Sequence, residues 1–239
     1  MTKTLAIGLY FWTLLGATSF LLVPYGLLRL LGQNAVAYRY AKAVARTWAR
    51  HLLWFGRISV RIDGLEHYPR GARRVCIVGN HQGYADILLL EAHLPEVGGF
   101  VAKEELKLVP VLSTWMRIFR CVFIDRGSVR RGTRALDKAV RNIRDGYPML
   151  IFPEGTRSHS RRVGLFKGGS LKLAVEAEAT IVPVTIDGTY KALEEHRRIR
   201  PAKTRLIVHP PVSPGEYRHL RRGELAELLR KIVSAPLKS

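Results

Sequence analysis

Short apolar runs, each closed by polar residues and followed by a helical pattern, fill this chain from residue 58 onward. Val75-Cys76-Ile77-Val78 ends in Gly79 and the polar turn Asn80-His81-Gln82-Gly83-Tyr84-Ala85-Asp86. A second apolar run, Ile87-Leu88-Leu89-Leu90-Glu91-Ala92, follows. That order reads as a buried strand, a tight turn and a helix. Apolar runs starting at Gly99, Cys121, Met149, Ile181 and Leu206 repeat the strand pattern. Ile58, Val60 and Ile62 alternate with polar neighbours before the turn Asp63-Gly64. Helical patterns fall at about 86–94, 111–119, 131–144, 169–177 and 223–233. Strands alternating with helices predict an α/β fold: a mainly parallel central sheet covered by helices.

Four of the predicted strands stop at groups suited to chemistry. His81 and Asp86 follow one, and Lys103 ends another; Asp125-Arg126 and Glu154-Gly155-Thr156-Arg157 close two more. Parallel neighbours bring such ends to one edge of the sheet, where open α/β sheets bind ligands. An imidazole oriented by a carboxylate takes a proton from a hydroxyl. Arg126 and Arg157 can each grip a phosphate through paired hydrogen bonds, and Gly155 lets backbone approach an anion closely. Each group alone has a plainer reading, a structural His–Asp pair or a surface ion pair. Together they fit a phosphate-bearing substrate with a reactive hydroxyl.

The net charge of +20 calls for anionic partners: a membrane surface, a phosphorylated substrate or nucleic acid. No charge occurs between Lys3 and Arg29, and Leu5 to Leu28 is apolar enough to enter a membrane, spanning it or lying in one leaflet. Pro24 and Gly26 are expected to interrupt it. The run is long for a cleaved signal peptide, and no small-x-small site follows. Eight Lys or Arg precede the first acidic residue, Asp63. Arg39, Lys42, Arg46 and Arg50 recur at helical spacing and form one basic stripe. A basic amphipathic helix after an apolar one reads as an anchor on an anionic bilayer. The alternative is a core helix with a solvated basic face. The anchor reading divides the chain at residue 56 and places the remainder, 57–239, on the cytoplasmic side. No nucleic-acid recognition motif, zinc spacing or dinucleotide fingerprint is present. Cys76 and Cys121 lie inside strand-like runs and are expected to be reduced core residues.

The polar turn from Asn80 to Asp86 resembles the His-x4-Asp block of the glycerolipid acyltransferases. Val122-Phe123-Ile124-Asp125-Arg126 is similar to their second block, Phe152-Pro153-Glu154-Gly155-Thr156-Arg157 to the third and Ile181-Val182-Pro183-Val184 to the fourth. The resemblance spans about residues 58–210, in the family's order and at its spacing. It is strongest to the bacterial 1-acyl-glycerol-3-phosphate acyltransferases. One departure is Gly83, where the first block usually carries Ser. The resemblance implies that His81 is the general base, oriented by Asp86, for attack of a lysophosphatidate hydroxyl on an acyl thioester. It implies no acyl-enzyme, cofactor or metal, and acyl-CoA or acyl carrier protein as donor. Arg126 and Arg157 then bind the acceptor phosphate, with Lys103 as a third cation. Glu154 and Gly155 shape that pocket, and Thr156 belongs to the same substrate-binding block. Backbone N–H groups after Gly83 are a candidate oxyanion site. Another lysolipid acceptor, such as a lyso-ornithine lipid, and a non-enzymatic basic binding protein are the alternatives.

Overall fold

The computed structural model describes residues 2–125 and 129–237. Three helices come first: α1 (Thr2–Ala17), α2 (Leu22–Leu30) and α3 (Asn34–Phe55). Then follow β1 (Ile58–Asp63), β2 (Val75–Gly79), α4 (Ala85–His93), β3 (Gly99–Lys103), α5 (Leu112–Ile118), β4 (Val122–Ile124), α6 (Val129–Arg144) and β5 (Met149–Ile151). The chain closes with α7 (Lys172–Glu176), β6 (Thr180–Asp187), β7 (Ala202–Val208), the short α8 (Pro214–Tyr217) and α9 (Arg222–Ser234).

Seven strands form one sheet in the order β1-β7-β6-β2-β5-β3-β4. Every pairing is parallel except β6 with β7. The expected α/β architecture is therefore present. The two-residue period of a strand splits its side chains between two cores. Val75 and Ile77 of β2 join Leu150, Val182 and Val184 beneath Leu89 and Leu90 of α4. Cys76 and Val78 point the other way, to Ile143 of α6, Leu173 of α7 and Leu229 of α9. Burial on both faces explains why β2 reads as an unbroken apolar run. Both cysteines are buried and free, and burial pushes each thiol up to about 12.

The apolar N-terminal stretch folds as expected in composition but not in its break point. The helix gives way at Thr18–Leu21, where Thr18 donates to the Leu15 carbonyl and accepts from the Trp115 indole. Pro24 instead lies in the first turn of α2, where a missing N–H leaves no bond unmade. The stretch Gly8–Leu30, 23 residues, is long and apolar enough to cross a membrane, and only Leu15 and Thr18 within it are buried. Its exposed side chains include Leu5, Leu9, Trp12, Phe20, Leu27 and Leu30.

Three of the four cations in the basic stripe of α3, Lys42, Arg46 and Arg50, face protein, which corrects the reading of the stripe as a wholly membrane-facing surface; Arg39 is exposed. Lys42 pairs with Glu91 and donates to the Val97 carbonyl. Arg46 donates to the carbonyls of Leu94 and Pro95, each at 2.6 Å, and Arg50 to that of Ala92 at 3.1 Å. These oxygens lie at and beyond the end of α4, where carbonyls lack helical partners and the dipole is negative. Ala49 and Leu53 pack on Ala92 beside them. Thus α3 caps α4 and holds it against the sheet. Arg46→Met keeps the stem but removes both donors. It is expected to lower the free energy of unfolding by about 1–3 kcal/mol, read from urea denaturation.

Candidate functional site

The β2 strand delivers its polar turn to the carboxyl edge of the sheet, between β6 and β5. Asn80 is buried and staples that end to β6, donating to the Ile186 carbonyl and accepting from its N–H, both at 2.8 Å. The next residue, His81, is then free to project. Its Nδ1 lies 2.6 Å from Asp86 Oδ2. Its ring stacks on Phe152, 4.1 Å between centroids and 6° from parallel.

Asp86 is fully buried in the first turn of α4. Its Oδ2 also accepts the backbone N–H groups of Gln82 at 2.7 Å and Gly83 at 3.0 Å. Its Oδ1 accepts the Thr189 hydroxyl at 2.5 Å. An ionised carboxylate only accepts, so the His81 Nδ1 carries the hydrogen. That leaves Nε2 with its lone pair, on a side chain that is 20% exposed. This is the geometry of a base held in one tautomer and one plane.

Glu154 follows β5, the neighbour of β2. It accepts the His81 N–H at 2.7 Å and the Gly164 N–H at 2.8 Å. Burial pushes its carboxyl above the ordinary range, against the pull of those two amides. It ties the His81 turn to the loop after β5, and the Ser158 N–H bonded to the His81 carbonyl at 2.8 Å adds a second tie. Gly155 has φ +72°, a left-handed conformation that glycine adopts without strain, and the Lys167 ammonium lies 3.1 Å from where its Cβ would stand. Thr156 is exposed and Arg157 half-buried on the same turn.

Arg157 stacks on Tyr84, 3.7 Å above its ring, and reaches Glu194 at 3.3 Å. The Glu194 side chain is 4% exposed, and its Oε1 also accepts the Tyr84 N–H at 2.8 Å. A Cβ on Gly83 would stand 2.5–2.9 Å from three atoms of that carboxylate. Glu194 therefore fills the space beside the position where the resembling family usually carries Ser. Of the amides after Gly83, a candidate oxyanion site from sequence, that of Tyr84 is engaged with Glu194, and the Gly83 amide itself with Asp86.

The structure thus gathers His81, Asp86, Glu154, Gly155 and Arg157 within one loop cluster. Lys103 stands apart. It ends β3, two strand spacings or about 10 Å across the sheet, and pairs with Glu105 at 3.6 Å. Arg126 lies outside the described residues. Thr189, Glu194 and Lys167 were not read from the sequence as site residues. The one signal for Thr189 was its place just past the strand-like run at 181–186, a strand end like those that drew attention elsewhere.

The fold is therefore α/β, with a mostly parallel sheet that carries a buried carboxylate, a projecting imidazole and an arginine at one edge. An acyltransferase family model matches residues 59–187. The chain is 32% identical over 199 residues to a probable 1-acyl-sn-glycerol-3-phosphate acyltransferase of Mycoplasma pneumoniae, covering 76% of this chain and 72% of that one. It is 33% identical over 173 residues to the probable enzyme of the same description from Mycoplasma genitalium, covering 67% of this chain and 64% of the other. In structure it is similar to the 1-acyl-sn-glycerophosphate (LPA) acyltransferase PlsC from Thermotoga maritima. The TM-score there is 0.85 at 28% identity, over 99% of this chain and 95% of that one. The chain belongs to the acyltransferase family and is an O-acyltransferase, which sets aside the non-enzymatic reading.

The fit of Glu194 beside Gly83 gives a direct test. Gly83→Ser is expected to displace the carboxylate from Tyr84 and Arg157 and to destabilise the fold by about 1–3 kcal/mol in thermal unfolding. Adding Glu194→Ala to Gly83→Ser opens the space and is expected to recover most of that loss.

Proposed function

We propose that this enzyme transfers an acyl chain from an acyl thioester to the free hydroxyl of 1-acyl-glycerol-3-phosphate, giving phosphatidic acid. The observation that carries the reading is the partly exposed His81 imidazole, with Nδ1 held by a buried carboxylate that leaves Nε2 unengaged. His81 Nε2 takes the proton from the acceptor hydroxyl as its oxygen attacks the thioester carbonyl carbon. Asp86 stabilises the imidazolium that forms. The tetrahedral intermediate collapses with cleavage of the C–S bond, and His81 returns the proton to the departing thiolate. No side chain carries the acyl group between donor and acceptor. Both cysteines are buried with raised thiols, in keeping with direct transfer.

Arg157 receives the acceptor phosphate in this account, exchanging Glu194 Oε1 for phosphate oxygens. Lys167, beside Gly155, supplies a second cation nearer than Lys103. Arg126 and Thr156 complete the proposed pocket. The apolar recess lined by Leu15, Trp48, Leu88, Phe100 and Trp115 begins one residue beyond Asp86, at Ile87, and suits an acyl chain. Residues 1–56 act as the membrane anchor, through the exposed apolar faces of α1 and α2. They hold residues 57–239 on the cytoplasmic face, where a water-soluble acyl-CoA or acyl carrier protein delivers the donor and no cofactor is required. Another lysolipid acceptor, such as a lyso-ornithine lipid that carries no phosphate, is a second reading. Glu194 favours it, because a carboxylate already neutralises Arg157.

Thiol release from acyl-CoA, by purified enzyme in mild detergent, tests the reading. Release is expected only with lysophosphatidate, and His81→Ala is expected to reduce kcat about 10²–10⁴-fold. Acceptor-independent release that survives in His81→Ala would overturn the mechanism. Faster release with another lysolipid than with lysophosphatidate would select the second reading. Arg157→Ala is expected to raise the lysophosphatidate KM about 10–100-fold with little change in kcat, since phosphate binding is shared by ground and transition states.

A further inference from the structure

Arg29, Arg39, Arg117 and Lys138 have no side-chain hydrogen bond or ion pair among the described residues. They come from four different helices, α2, α3, α5 and α6, yet all four line one cleft. Its volume is about 770 Å³, within the ~300–1,000 Å³ range of small-molecule sites. Arg120 is a fifth cation there, stacked 3.9 Å above the Tyr147 ring and paired with Asp145 at 3.7 Å. No Asp or Glu lines the cleft among the described residues. Like charges gathered around a concave, low-dielectric surface focus a positive potential and favour an anion between them.

The cleft is not the acceptor site. Arg120 and Tyr147 precede β4 and β5, so it opens at the amino edge of the sheet. His81 stands at the carboxyl edge. What adjoins the cleft is the apolar pair of helices. Arg29 lines it from α2, while Leu27 and Leu30 of the same helix are 55% and 85% exposed and Leu31 follows them. Tyr25, Tyr38 and Tyr147 complete its wall. Tyrosine rings, with an apolar body and a polar tip, settle at the headgroup level of a bilayer. A soluble anion has no use for the apolar border, whereas a lipid matches both parts.

We propose that this cleft binds the phosphate headgroup of an anionic membrane phospholipid, with its acyl chains along the exposed apolar side chains of α2. It is a second lipid site, separate from the one where chemistry occurs. It rests on the reading of α1 and α2 as membrane-embedded. Of the basic stripe on α3, only Arg39 takes part; Lys42, Arg46 and Arg50 are held by α4 and the segment after it.

The test is flotation of the full chain with phosphatidylcholine vesicles, with and without phosphatidylglycerol. The variant carries Arg29→Gln, Arg39→Gln, Arg117→Gln and Lys138→Gln, none of which touches the His81 cluster. Wild type is expected to prefer the phosphatidylglycerol vesicles about tenfold or more at low salt. The variant is expected to lose that preference, still float with both vesicles through α1 and α2, and turn over detergent-dispersed substrate as wild type does. A variant that keeps the preference overturns the proposal. So does inorganic phosphate that abolishes it where sodium chloride of equal ionic strength does not, which makes the cleft a site for free phosphate. So does a variant that loses only turnover with acyl carrier protein, which makes it a docking surface for an acidic protein. Wild type that floats with both vesicles equally overturns the headgroup site alone. Wild type that floats with neither overturns the membrane reading with it.

Discussion

One buried carboxylate organises the candidate active edge of this enzyme. Asp86 accepts from four donors: the His81 imidazole, two consecutive backbone amides and the Thr189 hydroxyl. Buried donors left without an acceptor each cost about 1–3 kcal/mol, so the turn is stable only while Asp86 stays in place. The same bonds that fold the turn also set the imidazole tautomer and plane. In the proposed mechanism, structure and chemistry therefore rest on one group.

Asp86 is in turn held by the helix that carries it. The far end of α4 has no helical partners for its last carbonyls, and α3 supplies Arg46 and Arg50 to them. Ala49 and Leu53 seal the same contact with Ala92. Packing therefore links the apolar helices through α3 to α4, from the proposed anchor to the candidate catalytic edge. A second clamp acts from the other side of the turn, where Glu154 gathers the His81 and Gly164 amides. The imidazole stands between these supports, stacked on Phe152.

Much of this was legible in the sequence because its signals are local. Short β-branched runs marked the strands, and their polar ends marked the cluster that the sheet brings together, His81 with Asp86 and Glu154 through Arg157. What stayed hidden depended on which strand lies beside which. Thr189 and Glu194 meet the β2 turn from more than 100 residues away only because β6 pairs with β2. Lys103 looked equivalent to the other strand ends until the order β2-β5-β3 put a strand between it and His81. The α3 stripe had the right helical spacing, but spacing alone does not say whether cations face a bilayer or a helix end. Pro24 was read as a breaker because its position within a helix, first turn or interior, depends on where the helix starts.

The most direct measurement is the turnover of Asp86→Asn with lysophosphatidate and acyl-CoA, alongside its thermal unfolding. Asparagine keeps the shape but turns an NH₂ group toward donors that need an acceptor, and it no longer stabilises an imidazolium. The account predicts a folded but less stable protein whose kcat falls by about 10³-fold or more, by analogy with the loss of the orienting carboxylate in catalytic triads. A folded Asp86→Asn enzyme with kcat within about tenfold of wild type would contradict it, since the imidazole would then act without the carboxylate that holds it.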